Sequence, residues 1–287
     1  MLKKIIATGA LAASTAACAF APQAGVWVID GENNGSPGRG FSLDVQDRTL
    51  VMQMYAYDAD GNPTFYLSSG PYEDDGYNGQ LNQYRGGRFF GGEDRSGSET
   101  GSAGAVSMRF DSGTTGFITF PGEPEKAISR YSFAYPAGPD GLKGIWLFTA
   151  LDSLTPQSDF VALEFPAGAT ETGNGIMTSS DGLFGCEHIV SGDLAGTVVC
   201  VKVDYSGQLQ RIYQYVYSVN DGEGIMVAGD ASSAAMAIMR RLADSSYMGT
   251  GVFFKKKPVD ESGETVAANV RQVRAHIGQI ARTGLAR

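Results

Sequence analysis

The chain has 287 residues, with 22 Lys and Arg against 31 Asp and Glu, for a formal net charge of −9. That sign excludes the basic footprint of a nucleic-acid binder and favours solubility. Two histidines and three cysteines restrict metal and nucleophilic chemistry, while 39 glycines among Tyr, Phe, Val and Thr point to short strands and tight turns.

The N-terminus reads as a secretory signal (1–21). Lys3 and Lys4 form its positive end, and residues 5–17 are apolar or small. That run is too short to span a bilayer comfortably. Cleavage after Ala19 or Ala21 leaves the mature chain at −11 (−9 minus the 2 lysines). Thr15-Ala16-Ala17-Cys18 offers a second route, a lipoprotein signal with Cys18 acylated, but Thr15 replaces the usual Leu. The expected location is periplasmic or secreted, with an outer-membrane lipoprotein through Cys18 as the lesser alternative. In an oxidising compartment Cys186 and Cys200 pair as a disulfide, closing a loop of about 15 residues worth on the order of 3 kcal/mol. A zinc site would have to add His188, at a spacing zinc sites do not use.

Turn signals divide the first unit (22–136) into strands at 25–30, 41–45, 51–57, 64–67, 79–85, 88–90, 105–110, 115–120 and 127–133. Asp58-Ala59-Asp60-Gly61-Asn62-Pro63 marks a hairpin, its glycine free to take positive φ. A calcium loop through Asp58, Asp60 and Asn62 is the weaker reading, because the EF-hand order is missing. The break falls at Tyr135-Pro136-Ala137-Gly138-Pro139. The second unit (137–258) resumes with strands at 144–150, 160–165, 182–189, 197–204, 209–219 and 224–227. Residues 230–242 read as a short helix, capped by Asp230, leading into a strand. The tail (259–287) carries Val266, Val270, Val273, Ile277 and Ile280 at helical spacing, with Arg271, Arg274 and Arg282 off the stripe. The stripe suits docking on a sheet, self-association or a membrane surface.

Each tryptophan opens one unit in the same phrase, Gly25-Val26-Trp27 and Gly144-Ile145-Trp146. Each unit later shows Ala-Ile-x-Arg, at 127–130 and 237–240. These echoes suggest one β unit used twice. The predicted fold is mainly β: two tandem antiparallel meanders, barrel or sandwich, with a C-terminal α-helix.

Little catalytic machinery is visible. No Gly-x-Ser-x-Gly, His-Glu-x-x-His or phosphate loop occurs. Glu164, alone in an apolar run, and His188 are the weak acid–base candidates. Tyr55, Tyr57, Phe65 and Tyr66 flank the Asp-Gly turn, Tyr72, Tyr77 and Tyr84 follow, and Tyr213, Tyr215 and Tyr217 alternate on one strand. Either set suits a platform for a sugar or peptide, each tyrosine having an apolar face and a polar tip; ordinary sheet packing is the competing account. Gly25, Trp27, Gly38, Gly40, Phe41, Tyr55, Tyr57, Asp58, Gly61, Pro63, Phe65 and Tyr66 together form a pattern that resembles a family of uncharacterised exported proteobacterial proteins. The resemblance covers roughly the first hundred mature residues. It implies export and a β module, and transfers no catalytic residue, metal or cofactor. The expected function is a non-enzymatic binding or envelope-associated module. The alternatives are a carboxylate hydrolase acting on glycans and a structural component assembling through the tail helix.

Overall fold

The computed structural model describes residues 21–151, 156–246, 248–249 and 263–284. Nearly all of the predicted signal, Cys18 and residues 250–262 lie outside these ranges.

Eight strands form the first unit: β1 (Gly25–Ile29), β2 (Gly40–Gln46), β3 (Thr49–Tyr57), β4 (Pro63–Glu73), β5 (Gly76–Arg85), β6 (Ser98–Phe110), β7 (Thr115–Thr119) and β8 (Lys126–Arg130). They pair in sequence order, and β8 returns to β1 to close an antiparallel barrel. Alternation decides what fills it. Phe41 and Leu43 of β2 point inward with Trp27, Met52, Met54, Tyr77 and Ile118, while Ser42 and Asp44 face out. An apolar lumen is the reverse of the polar interior of a barrel that spans lipid. The predicted strand at 88–90 is instead a loop, with Phe89 and Phe90 exposed.

The second unit contains β9 (Gly144–Leu151), β10 (Gln157–Leu163), β11 (Phe165–Ala167), β12 (Gly173–Thr178), β13 (Phe184–Ile189), β14 (Val198–Val203), β15 (Leu209–Ser218), β16 (Asp221–Ala228) and β17 (Ala234–Ala243). They form one antiparallel sheet in the order β10-β9-β17-β16-β15-β14-β13-β12-β11. The sheet curls until β10 touches β12 and β13, enclosing Trp146, Phe148, Phe184, Tyr213 and Tyr215. β11 and β12 had no clear sequence signal. The helix expected before β17 is absent: Asp230 Oδ1 accepts from Ser232 N and Oγ at 3.0 and 2.6 Å, which makes a turn.

Helix α1 (Gly263–Thr283) lies on the outer face of β12–β14. Val273, Ile277 and Ile280 pack on Val199, Val201 and Val203, which explains why β14 is apolar on both faces. The stripe that would have made a self-association seam is therefore buried against the chain's own sheet. Asn269 Nδ2 donates to Asp181 O (2.8 Å) and Arg274 Nη2 to Ala169 O (2.5 Å). Among the described residues no helix is long and apolar enough to cross a membrane.

The two units touch end to end. Gly113 N, in the β6–β7 turn, donates to Glu223 Oε1 at 2.8 Å. Gln23 Nε2 donates to Asp221 O at 2.9 Å, and Tyr135 OH reaches Asn220 Oδ1 at 3.4 Å.

Candidate functional site

The hairpin at Asp58 fixes an aromatic face on the first barrel. Asp58 Oδ1 accepts from Asp60 N (3.0 Å) and Asn62 N (2.9 Å), so its carboxylate holds the turn. Gly61 takes φ +80°, as the turn requires. The resulting register sets Tyr57 opposite Pro63 and Tyr55 opposite Phe65, and on the other side of β3 it sets Gly40 opposite Tyr55. Gly40, Tyr55 and Phe65 thus form one row across three strands, with Tyr57 two residues along the same face. The rings stay in solvent: Tyr55 is 61%, Tyr57 47% and Phe65 46% exposed.

Gly40 makes the trough beside this row. A Cβ there would meet nothing closer than Trp27 O at 3.5 Å, so space, not strain, is what the missing side chain leaves. The concavity holds about 370 Å³ between Tyr55, Val26, Val28 and Tyr131. Its rim is locked by ions. Arg39 donates twice to Glu32 (2.8 Å each) and twice to Glu123 (2.5 Å each). Lys126 Nζ adds contacts to Glu32 (2.7 Å) and Glu123 (3.0 Å). The Arg39 hydrogen bonds, reinforced by Lys126, hold both carboxyls down at about 2. This network pins the loop carrying Asn33 and Ser36 at the trough edge.

Of the six predicted tyrosines, only Tyr55 and Tyr57 stand on an open face. Tyr66 is in the core of the first barrel. Tyr213 and Tyr215 are buried in the second unit and Tyr217 is packed beside them, because a curled sheet turns one face of every strand into core. As a surface platform that second set is ruled out. Of the two aromatics expected on the returning strand, Phe65 faces solvent and Tyr66, one residue along, faces the core.

The acid–base candidates do not meet. His188 Nε2 lies 3.1 Å from Tyr217 OH, which itself donates to Gly141 O at 3.1 Å. Nε2 must therefore carry the proton, leaving Nδ1 buried and unpaired. Burial first, then the nearby Arg241 charge, push the imidazole down to about 4. The ring is neutral and stacked on Tyr217 at an interplanar angle of 20°, with no carboxylate of the described residues bonded to it. Glu164 sits between β10 and β11, half-buried, its backbone N donating to Thr178 O at 2.9 Å. Five concavities of the described residues are each lined by at most one carboxylate, Glu123 lying outside the trough lining and held to Glu32 through Arg39. The predicted disulfide is present: Cys186 and Cys200 are cross-strand neighbours on β13 and β14, joined through sulfur.

Comparison with protein families, curated proteins and solved structures returns no significant match for this chain.

Proposed function

We propose that this chain is an exported, non-enzymatic binding module whose first barrel holds a carbohydrate chain across Tyr55, Tyr57 and Phe65. The observation that carries this reading is the row of solvent-facing rings beside the Gly40 trough. Pyranose rings present flat C–H faces that suit aromatic faces, and their hydroxyls suit the Asn33, Ser36 and Ser42 edge. A closed barrel has no free strand edge, so an extended peptide gains no backbone pairing there. Export is supported by the signal-like N-terminus and by the disulfide. Use of one β unit twice is supported by matching detail: each indole N–H donates to the carbonyl four residues earlier, Gln23 O and Leu142 O.

A hydrolytic role lacks support, because glycoside cleavage needs two carboxyls facing one site. The test is calorimetric titration with soluble β-linked oligosaccharides and peptidoglycan fragments. Saturable binding is expected, weakened roughly three- to tenfold by Tyr55→Ala or Phe65→Ala. Gly40→Leu should block it without unfolding the barrel. Binding by no member of the panel, or binding indifferent to all three variants, would remove this reading.

A further inference from the structure

One buried acid in the second unit holds two cations at the sheet's open end. Asp159 points inward from β10 and is 7% exposed. Its Oδ1 accepts from Lys202 Nζ at 2.5 Å; its Oδ2 accepts from Arg211 Nη1 at 2.8 Å and Tyr213 OH at 2.7 Å. Arg211 Nη2 is spent on Gln157 Oε1 at 2.6 Å. A single carboxylate is neutralised by a single cation, so this cluster carries one surplus positive charge in a chain of −9. The neighbouring acid, Asp204, is half-buried and tied to its own turn through Ser206 N, Gln208 N and Gln210 Nε2. Lys202 spends one of its three N–H donors on Asp159, and its side chain is 39% exposed.

Lys202, Arg211 and Gln157 rim a concavity of about 290 Å³. Ala150, Met226 and Ala235 give it an apolar side, with Gln210 and Ser233 also in its lining. The arrangement combines fixed cations at the rim with unfilled hydrophobic surface beside them. Bare phosphate or chloride would leave the apolar side wet, and a neutral apolar molecule would leave the surplus charge unmatched. We propose that this mouth binds a small monocarboxylate with a short apolar tail, the carboxylate on Lys202 and Arg211 and the tail on Met226, Ala150 and Ala235. The site is separate from the aromatic row on the first barrel, and neither reading depends on the other.

The test follows the Met226 methyl resonance of the oxidised full chain by NMR during titration with hexanoate, 1-hexanol, hexylammonium and inorganic phosphate. Hexanoate should shift it saturably, with affinity falling as salt rises; the other three should act far more weakly. Lys202→Gln removes the surplus charge and leaves the Arg211–Asp159 pair in place, and should weaken hexanoate about tenfold. Ala235→Leu fills the tail space and should weaken hexanoate more than acetate. Equal response to hexanol, equal response to phosphate, or a Met226 signal indifferent to hexanoate each overturns the proposal, and the wild-type titration alone decides this if a variant misfolds.

Discussion

Gly25 and Gly144 open the first strand of each unit at φ +125° and +129°, a region that side chains rarely adopt. A Cβ on Gly25 would fall 2.1 Å from Arg130 Nη2, and one on Gly144 2.3 Å from Ala243 O. An arginine closes each arrangement. Arg130 donates to Ala24 O and Val26 O, both at 3.0 Å. In the second unit Arg241 donates to Lys143 O, to Gly141 O at 2.6 Å and to Val219 O at 3.2 Å, with its guanidinium 4.2 Å from the Trp146 ring centroid. The pairing register sets Trp27 opposite Arg130 and Trp146 opposite Arg241. Aligning the two Ala-Ile-x-Arg phrases picks Arg240 instead, one residue off, because the local phrase carries no information about which residue faces the indole. Arg240 is an exposed partner of Asp221. Arg241→Met should therefore cost roughly 3 kcal/mol or more, leaving buried carbonyls unpaired, whereas Arg240→Ala should cost about 1 kcal/mol or less. Urea midpoints of the two variants check this, and equal costs would refute the assignment.

At the level of the element, β13 and β14 are held from three sides: by their own ladder, by the disulfide and by α1. Cys186 and Cys200 project into the core, so the bond staples the strands beneath the helix. Replacing both cysteines with alanine should cost about 3 kcal/mol by the loop-entropy argument, read as a lower denaturant midpoint against the oxidised protein. An unchanged midpoint would overturn the loop-entropy argument for this pair. The tail helix was legible because its stripe repeats at 3.6 residues; its destination was not, because an apolar stripe fits any apolar surface. The same ambiguity hid the roles of the tyrosines. Tyr213, Tyr215 and Tyr217 alternate as plainly as Tyr55 and Tyr57 do, and only closure of the sheets tells inward from outward.

For the whole molecule, one of the hydrogen bonds between the units is made by a perturbed acid. Burial raises the Glu223 carboxyl to about 7 from its ordinary 4.5, only partly offset by the Gly113 N–H. Between those values the folded chain holds a proton that the unfolded chain has released, so this group makes stability fall as pH rises. His188 acts in the opposite sense: the unfolded imidazole binds its proton below 6.5 and the folded one below about 4, so stability rises with pH across that window. The two offset each other between 4.5 and 6.5, and the wild type should be nearly flat there. Glu223→Gln should uncover the histidine slope, with stability rising from pH 4.5 to 6.5 in urea titrations. A variant profile with the same slope as the wild type's would show that Glu223 is not desolvated in solution. The Glu32–Arg39–Glu123 rim lies outside this window, its contribution persisting above 4.5 and fading only toward about 2.

Local chemistry in the sequence determined the strand-and-turn content, the Asp58 hairpin, the cysteine pair and the tail helix, because period, turn residues and cysteine count each act within a few residues. Tertiary structure alone decided that the first sheet closes, that Gly40 leaves a trough beside Tyr55, that Arg241 rather than Arg240 braces Trp146, and that Asp159 gathers Lys202 and Arg211 from distant strands. Those outcomes depend on register and curvature, which set side chains far apart in the chain against one another and leave no mark at either position.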